Sequence, residues 1–318
     1  MRFVSLFLFG RAGRREVRLS DFAFVVSLRL LALLVVLIFA SIVLFLTLES
    51  LPSLQANGWR FLIQSDWVPT EDLYGALPFI YGTLVTSFVA LVIAAPVAVG
   101  SAIFLTEVCP PWLSKPVGFL IEMLAAIPSV VYGLWGIFVL APAVRNYLEP
   151  FLSQYFGYLP LFQGPPLGIG VLSASLILAI MILPTITAVC REVFRAIPMT
   201  LREGALAMGA TKWEMIKVAV IETGLSGIIS AVVLGLGRAM GETMAVTMLI
   251  GNRPLISSSL FAPGATMASV IANEYPEAGS RLHLSSLTGI GLTLFLVSLA
   301  VNSVAKILVH LTTRRLRA

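Results

Sequence analysis

Six long apolar stretches, separated by shorter polar ones, organise this 318-residue chain. They run Phe22–Leu48, Phe79–Leu105, Val117–Ala141, Ile169–Cys190, Leu225–Ile250 and Leu284–Leu308. An α-helix needs about 20 predominantly apolar residues to cross the hydrocarbon core, and each stretch is long enough. None alternates at the strand period of two. The pattern therefore predicts an all-α membrane protein, a bundle of six transmembrane helices rather than a barrel. Pro96 and Pro128 fall inside the second and third stretches, where a proline removes a backbone donor and bends a helix. A structural kink is the plainer reading of each, a gating hinge the other. The first stretch is too long for the apolar part of a signal peptide and is expected to stay as a helix.

Composition supports this picture. The chain is 58% hydrophobic and 12% charged, with a mean hydropathy of +0.97, more apolar surface than a soluble core of this size can use. Cys109 and Cys190 read as unpaired thiols near one face of the membrane.

Charge then sets the orientation. With the N-terminus inside, the inside segments hold most of the 21 Lys and Arg residues. They comprise Arg2, Arg11, Arg14, Arg15 and Arg18, then Lys115, then Arg191, Arg195, Arg202, Lys212 and Lys217, and finally Lys306, Arg314, Arg315 and Arg317. The outside segments hold only Arg60, Arg145, Arg253 and Arg281, while Arg29 and Arg238 lie within stretches. Both termini are therefore expected in the cytoplasm, and the basic balance is a topology signal rather than a mark of a nucleic-acid partner. The expected organisation is a basic arm over 1–21, a first helix over 22–48 and an outside segment over 49–78. A membrane core follows over 79–311, with an inside loop at 191–222, and a short tail over 312–318 closes the chain. The outside stretch from Pro142 to Gly168 reads as an ordered cap.

The inside loop carries the most information. Pro198 ends what precedes it, Thr200 and Glu203 have capping-box spacing, and Gly209 supplies a helix stop. Thr211 and Glu214 repeat the box before "KWEMIKVAVI". The reading is helix, glycine, helix, with Leu201, Ala205 and Met208 on one side of the first helix. Such an element either docks into a partner's groove or merely links two spans.

"EGALAMGA", Glu203–Ala210, resembles the EAA loop of ABC importer permeases. Glu203, Ala205 and Gly209 fall in register with that pattern, and Gly204 stands where the family has its first alanine. Ile221 and Glu222 replace its late Leu-Pro. "LPFIYGTLVTS", "LAAIPSVVYGLWGIFVLAP", "ILPTITAVCREVFRAIP" and "GLGRAMGETMAVTMLIGN" are similar, in order and spacing, to the PstC-type permeases of phosphate ABC importers. The resemblance implies a five-helix MetI-like permease core plus one N-terminal helix. It also implies a transporter subunit in the bacterial inner membrane that imports inorganic phosphate by alternating access. The implied partners are a second, homologous permease (PstA type), an ATPase dimer (PstB type) and a periplasmic phosphate-binding protein (PstS type). ATP and Mg would be bound by that ATPase, with no cofactor in this chain. The implied ATPase-coupling residues are Glu203, Gly204, Ala205, Ala207 and Gly209. A permease for sulfate or molybdate, and an ion-coupled secondary transporter, are the competing readings.

The charges inside the fifth stretch pose the remaining question. On a continuous helix Arg238 and Glu242 would be four residues apart and able to pair, with Gly237 and Gly241 opening that face to another helix. Either the pair lines the translocation pathway, where a guanidinium suits a tetrahedral oxyanion, or it only fixes helix register. Arg29 can snorkel, and Glu122 reads as a helix-start or interhelix partner rather than a pathway residue. His283 and His310 read as isolated. The chain contains no GxxxxGK[ST] and no HExxH, so it reads as a transporter subunit and not an enzyme.

Overall fold

A computed structural model describes residues 19–315, so the basic arm up to Arg18 and the last three residues lie outside the described residues. Among the described residues, six helices are long and apolar enough to cross a membrane: Phe24–Asn57, Leu77–Val108, Ser129–Phe156, Val171–Ala196, Lys212–Gly241 and Arg281–Ile307. They are called the first to sixth spans below. The chain divides into two units, Met1–Leu48 and Glu49–Ala318. In the first unit the helix that begins at Leu19 is apolar on every side, and Phe24, Val35 and Phe45 are all exposed. A helix without a polar face has lipid as its natural solvent.

The second unit is built around the fourth span. Its faces are buried almost throughout, from Ala174 and Leu178 through Ile182 and Ile186 to Cys190 and Phe194. The second span meets it with Ala90, Ala94, Ala98 and Ala102, a four-residue stripe of small side chains that lets two helices approach closely. The fifth span does the same with glycines. A Cβ on Gly235 would sit 2.7 Å from Ile186, and one on Gly227 would sit 2.5 Å from Val193.

Opposite the 199–211 loop, an antiparallel hairpin pairs Trp67 with Tyr74 and Val68 with Leu73, a small β element that the apolar pattern gives no sign of. Its Trp67 indole donates to Glu274 Oε2 at 2.9 Å, and the same oxygen lies 3.0 Å from His283 Nε2. Tyr74 stacks on the His283 ring, and burial pushes its phenol above the ordinary value. His283 is therefore a buried, partnered residue and not an isolated one.

Two spans differ from the apolar pattern. The third is not Val117–Ala141. Pro111–Ala125 is a separate helix, the chain breaks at Ala126–Pro128, and the crossing runs on to Phe156 through two π-helical turns. Pro128 is thus a break rather than a kink. Having no N–H, it cannot donate to the Leu124 carbonyl, which instead accepts the Ile127 N–H at 3.4 Å and the Tyr132 hydroxyl at 2.8 Å. Much of the expected Pro142–Gly168 cap is the last part of this span. The fifth span begins much earlier than Leu225 and stops at Gly241. A short separate helix, Met244–Leu249, follows and packs against Gly133 and Gly136 of the third.

Candidate coupling loop and translocation face

The loop between the fourth and fifth spans folds as helix, glycine, helix. Met199–Ala207 is the first helix, with Pro198 rather than Thr200 at its N-cap, and it has no side-chain cap. The expected Thr200–Glu203 box does not form, because Thr200 lies one residue inside the helix. Gly209 takes φ +87°, the left-handed stop that a glycine adopts without strain. The second box does form: the Glu214 backbone N–H donates to Thr211 Oγ1 at 3.3 Å, and the Thr211 N–H donates to Glu214 Oε2 at 2.8 Å. From Lys212 the chain runs unbroken through a π-helical segment, Ile216–Glu222, into the fifth span. Where Leu-Pro would bend the chain, Ile221-Glu222 lets the helix continue.

The outward and inward faces of the loop helix differ from the expected ones. Glu203, Gly204, Ala207 and Gly209 are exposed, and an added Cβ at Gly204 would meet nothing within 4 Å. Met199, Leu201, Leu206 and Met208 are exposed apolar side chains beside them. Ala205, by contrast, is 8% exposed and belongs to the core with Met215, Ile216 and Phe194. It does not share an exposed face with Leu201 and Met208. A helix only two and a half turns long must bury one stripe to be held at all, and Ala205 lies on that stripe.

Arg202 lies on the same buried stripe. Its Nη2 and Nε donate to the two oxygens of Glu107 at 2.7 and 3.1 Å, a forked ion pair with both side chains largely buried. Nη1 donates to the Ile197 carbonyl at 2.6 Å and Nη2 to the Phe194 carbonyl at 2.8 Å. One guanidinium therefore ties the loop helix to the end of the second span and caps the end of the fourth. Charge counting treats Arg202 only as a topology signal, and no sequence spacing links it to a residue 95 positions away. Arg191 is buried as well. It pairs with Glu122 at 3.1 Å, with its guanidinium against Gly118, so Glu122 is the interhelix partner expected.

Arg238 and Glu242 do not pair. The helix ends at Gly241 and Glu242 is extended (ψ 128°), so the four-residue spacing no longer places the two on one face. Arg238 is exposed and donates from Nη1 to Thr185 Oγ1 of the fourth span at 3.2 Å. Glu242 Oε1 accepts from the Ala245 N–H, in the first turn of the short helix, at 3.4 Å. Close packing falls to Gly235 rather than to the expected Gly237 and Gly241. A Cβ on Gly237 would meet only Asn302, at 3.9 Å, and one on Gly241 would meet nothing within 4 Å. An exposed guanidinium beside an interrupted helix at membrane depth requires water or another protein on that side. Among the described residues no group of His, Cys, Asp or Glu could hold a metal, and both cysteines are free.

The model of the family described as "Binding-protein-dependent transport system inner membrane component" matches residues 98–318, more than half of the chain. The chain belongs to that family. Its members are multi-pass membrane components of transport systems, so this chain is a transporter subunit and not an enzyme. Relatives named "Phosphate transport system permease protein PstC" are 46% identical over 301 residues in Pasteurella multocida, covering 93% of this chain and 94% of that one. In Mesorhizobium japonicum the figure is 44% over 296 residues, covering 92% and 90%. Among solved structures, a bacterial alginate ABC transporter in complex with its periplasmic protein superposes with a TM-score of 0.59 at 16% identity, covering 91% of this chain and 96% of that one. The MetNI methionine ABC transporter in an inward-facing form gives 0.53 at 16%, covering 73% and 93%. Both likenesses show the fold.

Proposed function

We propose that this chain is the permease subunit of an ATP-driven importer of inorganic phosphate. The carrying observation is the face around Arg238: an exposed guanidinium, held by a threonine and not by a carboxylate, one turn before a helix break in a membrane span. A guanidinium with most of its donors unused can accept a tetrahedral oxyanion in paired hydrogen bonds. One exposed arginine binds weakly enough to release, as conduction requires. The names of the relatives, in which the chain's similarity runs nearly end to end, support phosphate as that oxyanion. Glu242 lies at the break on the same pathway and limits how tightly an anion is held there.

The family's usual partners complete the reading. A homologous permease of PstA type covers the Arg238 face and the open side of Gly237 and Gly241. An ATPase dimer of PstB type, which carries ATP and Mg, receives Glu203, Gly204, Ala207 and Gly209. Ala205 supports that surface from beneath. A phosphate-binding protein of PstS type delivers the substrate at the hairpin end. Both termini lie in the cytoplasm of a bacterial cell whose inner membrane holds the complex. ATP closes the ATPase dimer, the loop moves with it, and access to the pathway alternates.

The test is uptake of radiolabelled phosphate by cells lacking this permease but supplying its partners, complemented with the parent chain or with Arg238→Gln, with and without excess sulfate. The expected result is uptake that requires the chain, ignores sulfate and is lost in the variant. No restored phosphate uptake by the parent chain would refute the substrate. Uptake that survives Arg238→Gln would remove the arginine from the pathway.

A further inference from the structure

The loop helix touches its own bundle in two different ways. Ala205 packs against Met215 and Ile216, at the beginning of the fifth span, by apolar contact. Towards the second span there is instead a cavity of about 470 Å³, lined among others by Thr106, Lys115, Met199 and Leu206. Among the described residues, one ion pair crosses from the loop to that span: Arg202 to Glu107. The carboxylate end of this link lies in a π-helical turn, Phe104–Val108, that closes the second span. Such turns are irregular and recur at functional sites.

We infer that Arg202 and Glu107 form a latch that carries displacement of the loop helix into the second span. This rests on the loop being the ATPase-coupling element. An apolar contact lets surfaces slide, whereas a forked, largely buried ion pair fixes direction and distance. With empty volume around it, the pair is the stiff connection between two elements that otherwise do not fill the space between them. The two carbonyl bonds of Arg202 hold the end of the fourth span to the same guanidinium, so the second and fourth spans receive the movement together. Arg202 and Glu107 are positioning residues here. Neither is required to touch phosphate or ATP.

The experiment uses the complete complex, with its ATPase, in proteoliposomes. Cys109→Ser provides the background, and a spin label is placed either at Thr200→Cys, an exposed position of the loop helix outside the proposed docking residues, or at Gly100→Cys, where an added side chain has open space. In the parent, ATP with vanadate shifts both labels. In Glu107→Gln/Arg202→Gln, which leaves no lone charge buried, the Thr200 label still responds while the Gly100 response collapses. Phosphate moved per ATP hydrolysed then falls about tenfold, within the range for residues that carry coupling between sites. Arg202→Lys keeps one charged bond and restores part of both signals. A Gly100 response and a transport ratio equal to the parent's in the double variant overturn the latch and leave the coupling loop standing. A Thr200 label that ignores ATP in the parent overturns the loop's coupling role, and the latch with it.

Discussion

Two arginines in this chain occupy opposite situations. Arg202 is buried and spends its donors on a carboxylate and two helix-end carbonyls. Arg238 is exposed at membrane depth and uses one donor on one threonine. The first is a finished structural joint. The second is unfinished within this chain, and a charge left so incomplete in a membrane span is completed by something outside it, a partner, water or an anion. Burial and satisfaction thus separate the charge that holds this chain together from the charge left for something outside it to complete.

The largest effect should come from breaking the finished joint on one side. Arg202→Gln leaves Glu107 buried without its partner, which costs about 3–5 kcal/mol. The purified chain should show a markedly lower Tm and poor recovery from the membrane. Arg238→Gln should change stability by no more than about 0.5 kcal/mol, the usual size of an exposed substitution, yet abolish uptake. Equal Tm losses in the two variants would erase the contrast.

The same contrast recurs along the loop helix. Ala205→Asp places an unpaired charge in the core and should destabilise by about 3 kcal/mol or more. Met208→Asp, at a side chain that is 85% exposed, should leave Tm within about 0.5 kcal/mol while reducing co-purification of the ATPase. Normal ATPase recovery with Met208→Asp would remove this face from the docking surface.

A smaller effect separates the fifth-span glycines. Gly235→Val presses on Ile186 and should cost about 1–3 kcal/mol by overpacking. Gly241→Ala enters open space in this chain and should leave its Tm unchanged, but weaken pairing with a second permease, measured by co-purification. If Gly241→Ala pairs normally, the partner approaches elsewhere.

How much of this was legible in advance follows from what each feature depends on. Six apolar helices, the Gly209 stop and the Thr211–Glu214 box are local consequences of residue type, and they appear as read. The resemblance rests on a contiguous motif, and the helix–glycine–helix read from the same residues is the shape observed. Failures came where helicity was extrapolated. Apolar residues continue through Pro128 and Glu242, so hydropathy hides both breaks, and the Arg238–Glu242 pair depended on a helix that stops at Gly241. Spacing groups Ala205 with Leu201 and Met208, and the resemblance counts it among the coupling residues, although a short helix must first bury a stripe. The Arg202–Glu107 joint spans 95 residues, and no local rule reaches that far.

The smallest and sharpest comparison lies between two loop glycines five residues apart. Gly204 sits inside the Met199–Ala207 helix with open space beyond its Cα, whereas Gly209 holds φ +87°. Alanine at 204 removes backbone entropy from the unfolded chain and strains nothing, so Gly204→Ala should stabilise by about 0.5–1 kcal/mol. The related loop pattern carries alanine there, so uptake should persist. Alanine at 209 must adopt a left-handed conformation, so Gly209→Ala should destabilise by about 1–2 kcal/mol. It should also lower uptake, because the stop sets the angle between the loop helix and Lys212. Thermal unfolding of the two purified variants beside the parent measures the sign of each change. Shifts of the same sign would mean that the loop's helix–glycine–helix geometry is not held as described, and the outward face assigned to the ATPase would have to be redrawn.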